Sequence, residues 1–116
     1  MSTITVTNIK KTGETASRSA TGVAAAWIYF NGSGTVEIQD SSGVSSLTDN
    51  STGNYNVNLS NNMASTSYCW SAANNMYHQA TSTVRTVSSF NLQSYNSSHS
   101  VIDADVFNSQ VNGDLA

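Results

Sequence analysis

The amino-acid sequence predicts an all-β fold, a single antiparallel β-sandwich of the jelly-roll or immunoglobulin-like type with roughly eight to nine short strands. Apolar and polar residues alternate along most of the chain, which is typical of strands with one buried face. Clusters of asparagine, glycine and serine separate these runs at intervals of about 8–12 residues, as in known sandwiches. No segment keeps a helical period over about ten residues.

The first 22 residues are predicted to form an N-terminal strand and a docking arm, and residues 23–116 the β-sandwich domain. Ile4 and Val6 alternate with threonines, which favours a first strand that ends at Ile9. The polar stretch 12–22 is too long and too weakly apolar for a tight hairpin. Structureless loops of about 12 or more residues are usually functional or disordered, so we expect the arm to dock on a neighbouring subunit.

Within the sandwich domain, one strand has an especially regular pattern. In residues 54–59, Tyr55, Val57 and Leu59 face one way and three asparagines face the other, so one face is expected to be buried and the other solvated. The hairpin signal Asn-Gly-Ser-Gly at 31–34 fits the positive φ that such turns need. The full set of predicted strands is 23–30, 35–39, 44–48, 54–59, 63–70, 76–80, 83–92 and 99–107.

The strand 23–30 is unusual because it is apolar on both faces. Such a strand lies at the centre of a sandwich or packs its second face against another chain. Monomeric proteins rarely expose a large apolar patch, so the pattern predicts a small homo-oligomer. The candidate interface residues are Trp27, Ile28, Tyr29 and Phe30.

The composition excludes several classes of function. Only 9% of the residues are charged, the formal net charge is −3, and there are four lysines and arginines in all, too few for a nucleic-acid-binding surface. No run of about 18 apolar residues is present, so we expect no membrane span. The chain begins without the charged and apolar regions of a secretory signal. It holds 21 serines, 13 threonines and 14 asparagines, and such neutral side chains allow identical subunits to pack without charge repulsion.

The sequence contains no recognisable catalytic motif. His78 and His99 are the available general bases, and neither sits in a nucleophile elbow or related pattern. Cys69 is interpreted as a buried free thiol. Asp103 and Asp105 are two residues apart on a predicted strand, where a solvated acidic face is favoured over a calcium site. We expect no enzymatic activity, no cofactor and no bound metal.

Recognition, if present, is expected on surface loops, which vary without disturbing a rigid scaffold. The predicted loop 71–75 is flanked by Trp70 and Tyr77, which supply rigid aromatic contact area. The candidate recognition residues are Trp70, Asn74, Asn75 and Tyr77. Tryptophan can stack on a sugar ring, but the apolar neighbours of Trp27 favour a core position for that residue.

Several segments resemble a family of small virion structural and tail-fibre-like proteins of tailed bacteriophages. The resemblance is carried by TGETASR at 12–18, AAWIYFNGSGTV at 25–36, VSSLTDN at 44–50, TGNY at 52–55 and VNL at 57–59, with a looser likeness in DADVF at 103–107 and NGDLA at 112–116. It implies an all-β component of the virion that has no catalytic activity and is usually trimeric.

The resemblance and the composition together lead to one expected function. The chain is expected to be a non-enzymatic virion protein on the particle surface, either a tail-fibre or tail-tip module or a capsid decoration protein. Its expected partners are two further copies in a homotrimer, other capsid or tail proteins, and a host-surface glycan, with assembly in the host cytoplasm. The alternative is a carbohydrate-binding β-sandwich module of a surface or secreted protein.

Overall fold

A computed structural model describes residues 2–10, 12–80 and 85–116 and shows the predicted β-sandwich, built from two antiparallel four-stranded sheets. A short 3-10 turn at Ala20–Gly22 precedes the sandwich. The strands in these ranges are β1 (Asn8–Ile9), β2 (Arg18–Ser19), β3 (Ala24–Asn31), β4 (Glu37–Ser42), β5 (Val44–Ser51), β6 (Asn54–Leu59), β7 (Cys69–Asn74), β8 (His78–Ala80), β9 (Ser89–Tyr95) and β10 (Phe107–Asn112).

The two sheets have the strand orders β4-β3-β10-β7 and β5-β6-β9-β8, and β1 pairs with β2 in a separate two-stranded sheet. The chain passes from one large sheet to the other four times, between β4 and β5, β6 and β7, β7 and β8, and β9 and β10. The first of these crossings bends at Gly43, whose φ of 72° favours glycine. A Cβ at this position would lie 2.7 Å from the Ala25 carbonyl oxygen, so the bend needs glycine for space as well.

The core lies between the two large sheets and follows the alternation of the strands. Phe30, Tyr55 and Phe107 come from β3, β6 and β10 and are 0% exposed. The ring centroids of Phe30 and Tyr55 are 5.1 Å apart in an edge-to-face arrangement, and those of Phe30 and Phe107 are 5.1 Å apart and stacked. The other buried apolar residues are Ala26, Ile28, Val57, Leu59, Met63, Tyr68, Phe90, Leu92, Ala104 and Val111.

Several predicted strand bounds are wrong in the second half of the chain. Met63 makes only an isolated bridge to Leu115, and the strand predicted at 63–70 begins at Cys69 instead. The predicted loop 71–75 lies mostly in β7, because pairing with β10 outweighs the weak strand preference of Ser-Ala-Ala-Asn. The strand predicted at 99–107 begins only at Phe107 and continues to Asn112. Positions 83 and 84 of the strand predicted at 83–92 fall outside the described residues, and the strand observed in this region is β9, Ser89–Tyr95.

The N-terminal residues lie at one end of the sandwich. The predicted first strand is limited to Asn8–Ile9 in β1. The Ala20 N–H donates to the Thr7 carbonyl (2.8 Å), and the Asn112 side-chain amide donates to the Gly22 carbonyl (3.1 Å). The molecule measures 47 × 26 × 25 Å. Its long axis therefore exceeds the length of an eight-residue strand, which is about 27 Å. In the described part of the chain, no helix has the length and apolar character needed to cross a lipid bilayer.

Candidate functional site

The strand β3 divides the four candidate interface residues between two environments. Ile28 is 2% exposed and Phe30 is 0% exposed, so both belong to the core. Trp27 and Tyr29 point to the opposite side of the sheet, where they are 40% and 38% exposed. The candidate interface therefore reduces to Trp27 and Tyr29, and the prediction that Trp27 is a core residue is wrong. Strand alternation sends it outward, and a strand with two apolar faces gives no signal of which face is buried.

The outer side of this sheet forms a shallow groove of about 650 Å³ around the two aromatic side chains. The register brings Gln110 beside Trp27 and Asn108 beside Tyr29, and β7 places Ser71 and Ala73 beyond them. Asp40 of β4 lies opposite Tyr29 on the other side. We call this surface the aromatic face; its outward residues are Trp27, Tyr29, Asp40, Ser71, Ala73, Asn108 and Gln110.

The chemistry of the aromatic face suits binding. The Trp27 and Tyr29 rings supply apolar area with a polar edge, and the amides of Asn108 and Gln110 and the Ser71 hydroxyl supply neutral hydrogen-bonding groups. Among the described residues that line the groove, Asp40 is the single carboxylate, and none is lysine, arginine, histidine or cysteine.

The outer side of the other large sheet is different, because asparagines cover it. As predicted, Asn54, Asn56 and Asn58 alternate with the buried Tyr55, Val57 and Leu59 along β6. The side-chain amide of Asn91 donates to the side chains of Asn54 and Asn56 at 2.5 and 2.8 Å, and that of Asn58 donates to the hydroxyls of Ser46 and Thr48 at 3.0 and 3.1 Å. These side chains bind one another across strands, whereas the aromatic face leaves its rings open.

The four candidate recognition residues do not form one surface. Trp70 is half-buried and packs against the core from β7. Asn74 accepts a hydrogen bond from the Met76 N–H (2.9 Å), and the Asn75 side chain accepts one from the Val106 N–H (3.3 Å). The two asparagines therefore hold the connection between β7 and β8 in shape. Asn75 and Tyr77 are exposed, Tyr77 at 72%.

The other residues singled out by the sequence lie apart from the aromatic face. Cys69 is exposed at the start of β7, so its interpretation as a buried thiol is wrong; it sits at an outward position of an edge strand. His99 lies in the turn 96–100 with a φ of 61°, where its N–H donates to the Asn96 carbonyl. His78 begins β8, and its side chain is outside the part of the chain that the structure describes.

Asp103 has a structural role instead of belonging to a solvated acidic face. Its half-buried carboxylate accepts hydrogen bonds from the Gly53 N–H (2.8 Å) and the Tyr55 hydroxyl (3.1 Å). The Tyr55 hydroxyl also lies 2.7 Å from the Gly32 carbonyl oxygen, so its one proton can go to either acceptor. Asp105 is exposed. These contacts tie the 102–104 segment to β6, and sequence spacing alone could not reveal them.

Unfolding is expected to become easier above about pH 10, because of Tyr55. Burial, and after it the hydrogen bond and charge of Asp103, raises the pKa of Tyr55 well above its ordinary value of 10.0. The unfolded tyrosine loses its proton as the pH passes about 10 while the folded one keeps it, so the free energy of unfolding falls as the pH rises. Tyr55→Phe should make this decline shallower in urea titrations between about pH 9 and 11.5.

The control for this pH experiment is Tyr77→Phe, which removes a hydroxyl from an exposed ring and should leave the decline unchanged. Tyr68, whose pKa burial also raises, accounts for part of the slope that remains in Tyr55→Phe. An equal decline in Tyr55→Phe and in the unmodified chain would show that Tyr55 does not govern the alkaline transition.

The described residues contain no group of three His, Cys, Asp or Glu side chains placed to hold a metal ion. The aromatic face is the candidate binding site, because two partly exposed rings lie beside its groove. Comparisons with protein-family models, with curated proteins and with solved structures found no match for this chain.

Proposed function

We propose that this chain is a non-enzymatic structural protein of a tailed bacteriophage particle, displayed on its surface and assembled as a homotrimer. The observation that carries the proposal is the aromatic face, where Trp27 and Tyr29 are 40% and 38% exposed. The chain as a whole has few charged residues, 9% of the total. The resemblance of residues 12–59 to virion structural and tail-fibre-like proteins supports the assignment to a phage particle.

A second copy of the chain is the occupant that best fits the aromatic face. Aromatic residues are enriched in the buried centres of protein interfaces, where charged residues are depleted. Among the described residues, Asp40 is the one charged side chain that lines the groove, so copies related by a symmetry axis bring few like charges together. The uncharged amides of Asn108 and Gln110 can satisfy one another or backbone groups across such an interface.

Two positions on the particle fit this role, and other virion proteins are the further partners in both. As a tail-fibre or tail-tip module, the trimer would face the host receptor. As a capsid decoration protein, it would bind across neighbouring shell subunits. In both cases residues 1–22 are proposed to be the docking arm of the sandwich domain at 23–116, because none of the described residues among them belongs to the buried core.

The second candidate function is carbohydrate binding, which the same groove favours. A neutral sugar has apolar faces that can stack on Trp27 and hydroxyls that match Asn108, Gln110 and Asp40. Ligand sites are commonly concave and largely apolar, with a few polar groups that orient the ligand. In this case the aromatic face would stay open in solution, and glycan-array binding would be lost in Trp27→Ala.

The particle assignment is tested by quantitative mass spectrometry of purified virions of the phage that encodes the chain. The expected result is that the chain copurifies with the particle at a fixed ratio to the major capsid protein. Hundreds of copies per particle would indicate capsid decoration, and a few trimers would indicate the tail. The chain's absence from particles of full infectivity would overturn the assignment.

A further inference from the structure

Residues 2–7 pair with no strand in the described part of the chain, although their sequence is typical of one. Ile4 and Val6 alternate with threonines, and both residue types favour strands. Ile4 is 86% exposed and Val6 is 49% exposed, so the described part of the chain leaves most of this apolar side uncovered. The segment is anchored at its C-terminal end by a backbone hydrogen bond, in which the Ala20 N–H donates to the Thr7 carbonyl oxygen.

The edge strands of the two sheets differ in how well they are protected against strand addition. Charged residues, bulges and short length are the usual protections. The edge strand β4 carries Glu37 and Asp40 and has a register shift against β3. The edge strand β5 carries Asp49 and has two register shifts against β6, and β8 is only three residues long.

The remaining edge strand, β7, has none of these protections. Its six residues, Cys69–Asn74, include no charged side chain and no proline. They pair with β10 in an uninterrupted register, and no strand in the described ranges pairs with its other side. Its inward residues Trp70 and Ala72 pack on the core but stay only half-buried.

We propose that residues 2–7 of one copy add as a strand to the open edge of β7 in a neighbouring copy. The backbone hydrogen bonds would extend the sheet β4-β3-β10-β7 by a fifth strand, the mode by which extended peptides commonly bind sheets. Ile4 and Val6 would cover Trp70 and Ala72 on the inner side, and the threonines would face outward beside Cys69 and Ala73.

The partner is a second copy because the segment leaves its own β7 unpaired in the single chain. Val6 and Thr7 lie against residues 113–115, which follow β10, and Gly113 and Asp114 in turn lie beside Tyr68, just before β7, so the segment stays unpaired although the start of its own β7 is near. The inference deepens the proposed assembly role and rests on its claim that copies associate. It adds a second contact between copies, distinct from the aromatic face.

Disulfide cross-linking to Cys69 tests the pairing in the full-length chain, where Cys69 is the single native cysteine. Opposed residues of paired strands have Cβ atoms about 4.5–5.5 Å apart, close to disulfide range, and successive residues face opposite sides. Cys69 and the threonines share the outer side in the proposed arrangement. Thr3→Cys or Thr5→Cys should therefore form cross-linked dimers in at least about fivefold higher yield than Ile4→Cys and Val6→Cys.

Two controls make the cross-linking result specific. In a Cys69→Ser background, the same variants can link only two N-terminal segments to each other. The dimer yield measured there is subtracted from the yield measured with Cys69 present. Moving the cysteine to β5, an edge strand of the other large sheet, in Cys69→Ser/Ser46→Cys, should abolish the preference for the threonine positions. Peptide mapping of the dimer should join residues 2–7 of one chain to β7 of the other.

Equal yields at all four positions, or no link to the Cys69 of another chain, would overturn the strand addition between copies. This outcome is separable from failure of the proposed function, because the amount of the chain in purified virions is measured independently. A chain that is abundant in virions without the alternating cross-links would retain its structural role and lose this contact. Alternating cross-links in a chain that virions lack would support the strand addition and overturn the assignment to the phage particle.

Discussion

Phe30→Ala is expected to destabilise the isolated chain by about 3–5 kcal/mol, which is enough to unfold a marginal domain of this size. Phe30 is 0% exposed, and its ring lies 5.1 Å from the rings of both Tyr55 and Phe107. Its removal leaves a cavity at the point where the two sheets meet. Urea unfolding followed by tryptophan fluorescence measures the loss.

The matched control is Trp27→Ala on the same strand. Trp27 is larger than Phe30 but lies on the outer side of the sheet and is 40% exposed, so its loss should destabilise the dilute chain clearly less than Phe30→Ala does. The comparison is made well below the concentration at which copies associate, since association stabilises the folded state. Equal losses of stability in the two variants would contradict the finding that one side of β3 faces the core and the other faces outward.

The position of Ile28 on the core side of β3 determines the expected effect of Ile28→Asp. The doubly apolar sequence of β3 leaves open whether a charge at this position would split an oligomer or unfold the chain. Ile28 is 2% exposed within a single chain, so the aspartate would be a buried, unpaired charge in the core. Unfolding of the chain is therefore the expected outcome.

The sequence was sufficient to predict the fold class and the faces of its most regular strand. The alternation of Tyr55, Val57 and Leu59 with three asparagines identifies the buried side of β6 without further information. The apolar run of β3 was also located correctly. These features depend on local periodicity, which the sequence displays directly.

Features that depend on distant partners could not be predicted in this way. Ser71, Ala72 and Ala73 read as a loop because none of them favours a strand strongly, and it is the pairing with β10 that makes them one. Asp103 reads as a surface carboxylate because its partners, Gly53 and Tyr55, are about 50 residues away in sequence.

The candidate site was predicted only in part, for a related reason. The sequence selected β3 correctly as the strand with a second apolar face, but it could not separate Trp27 and Tyr29 from their buried neighbours. The other members of the aromatic face, such as Asn108 and Gln110, are common polar residues with no signal of their own. Only the register of β10 against β3 brings them beside the rings.

Self-association through the aromatic face is the central claim, and sedimentation equilibrium tests it most directly. The double variant Trp27→Ser/Tyr29→Ser removes the apolar area of the face and leaves the core unchanged, so it should stay folded. Far-UV circular dichroism checks that it does. Tyr77→Phe, which alters an exposed tyrosine away from this face, serves as the control variant.

At micromolar concentration, the unmodified chain and the Tyr77→Phe control should sediment with the mass of a trimer, and the double variant should sediment with a smaller mass. A folded monomer that binds glycans through Trp27 would favour the carbohydrate-binding candidate instead. A mass of one 12.3 kDa chain for the unmodified protein would contradict the proposed self-association.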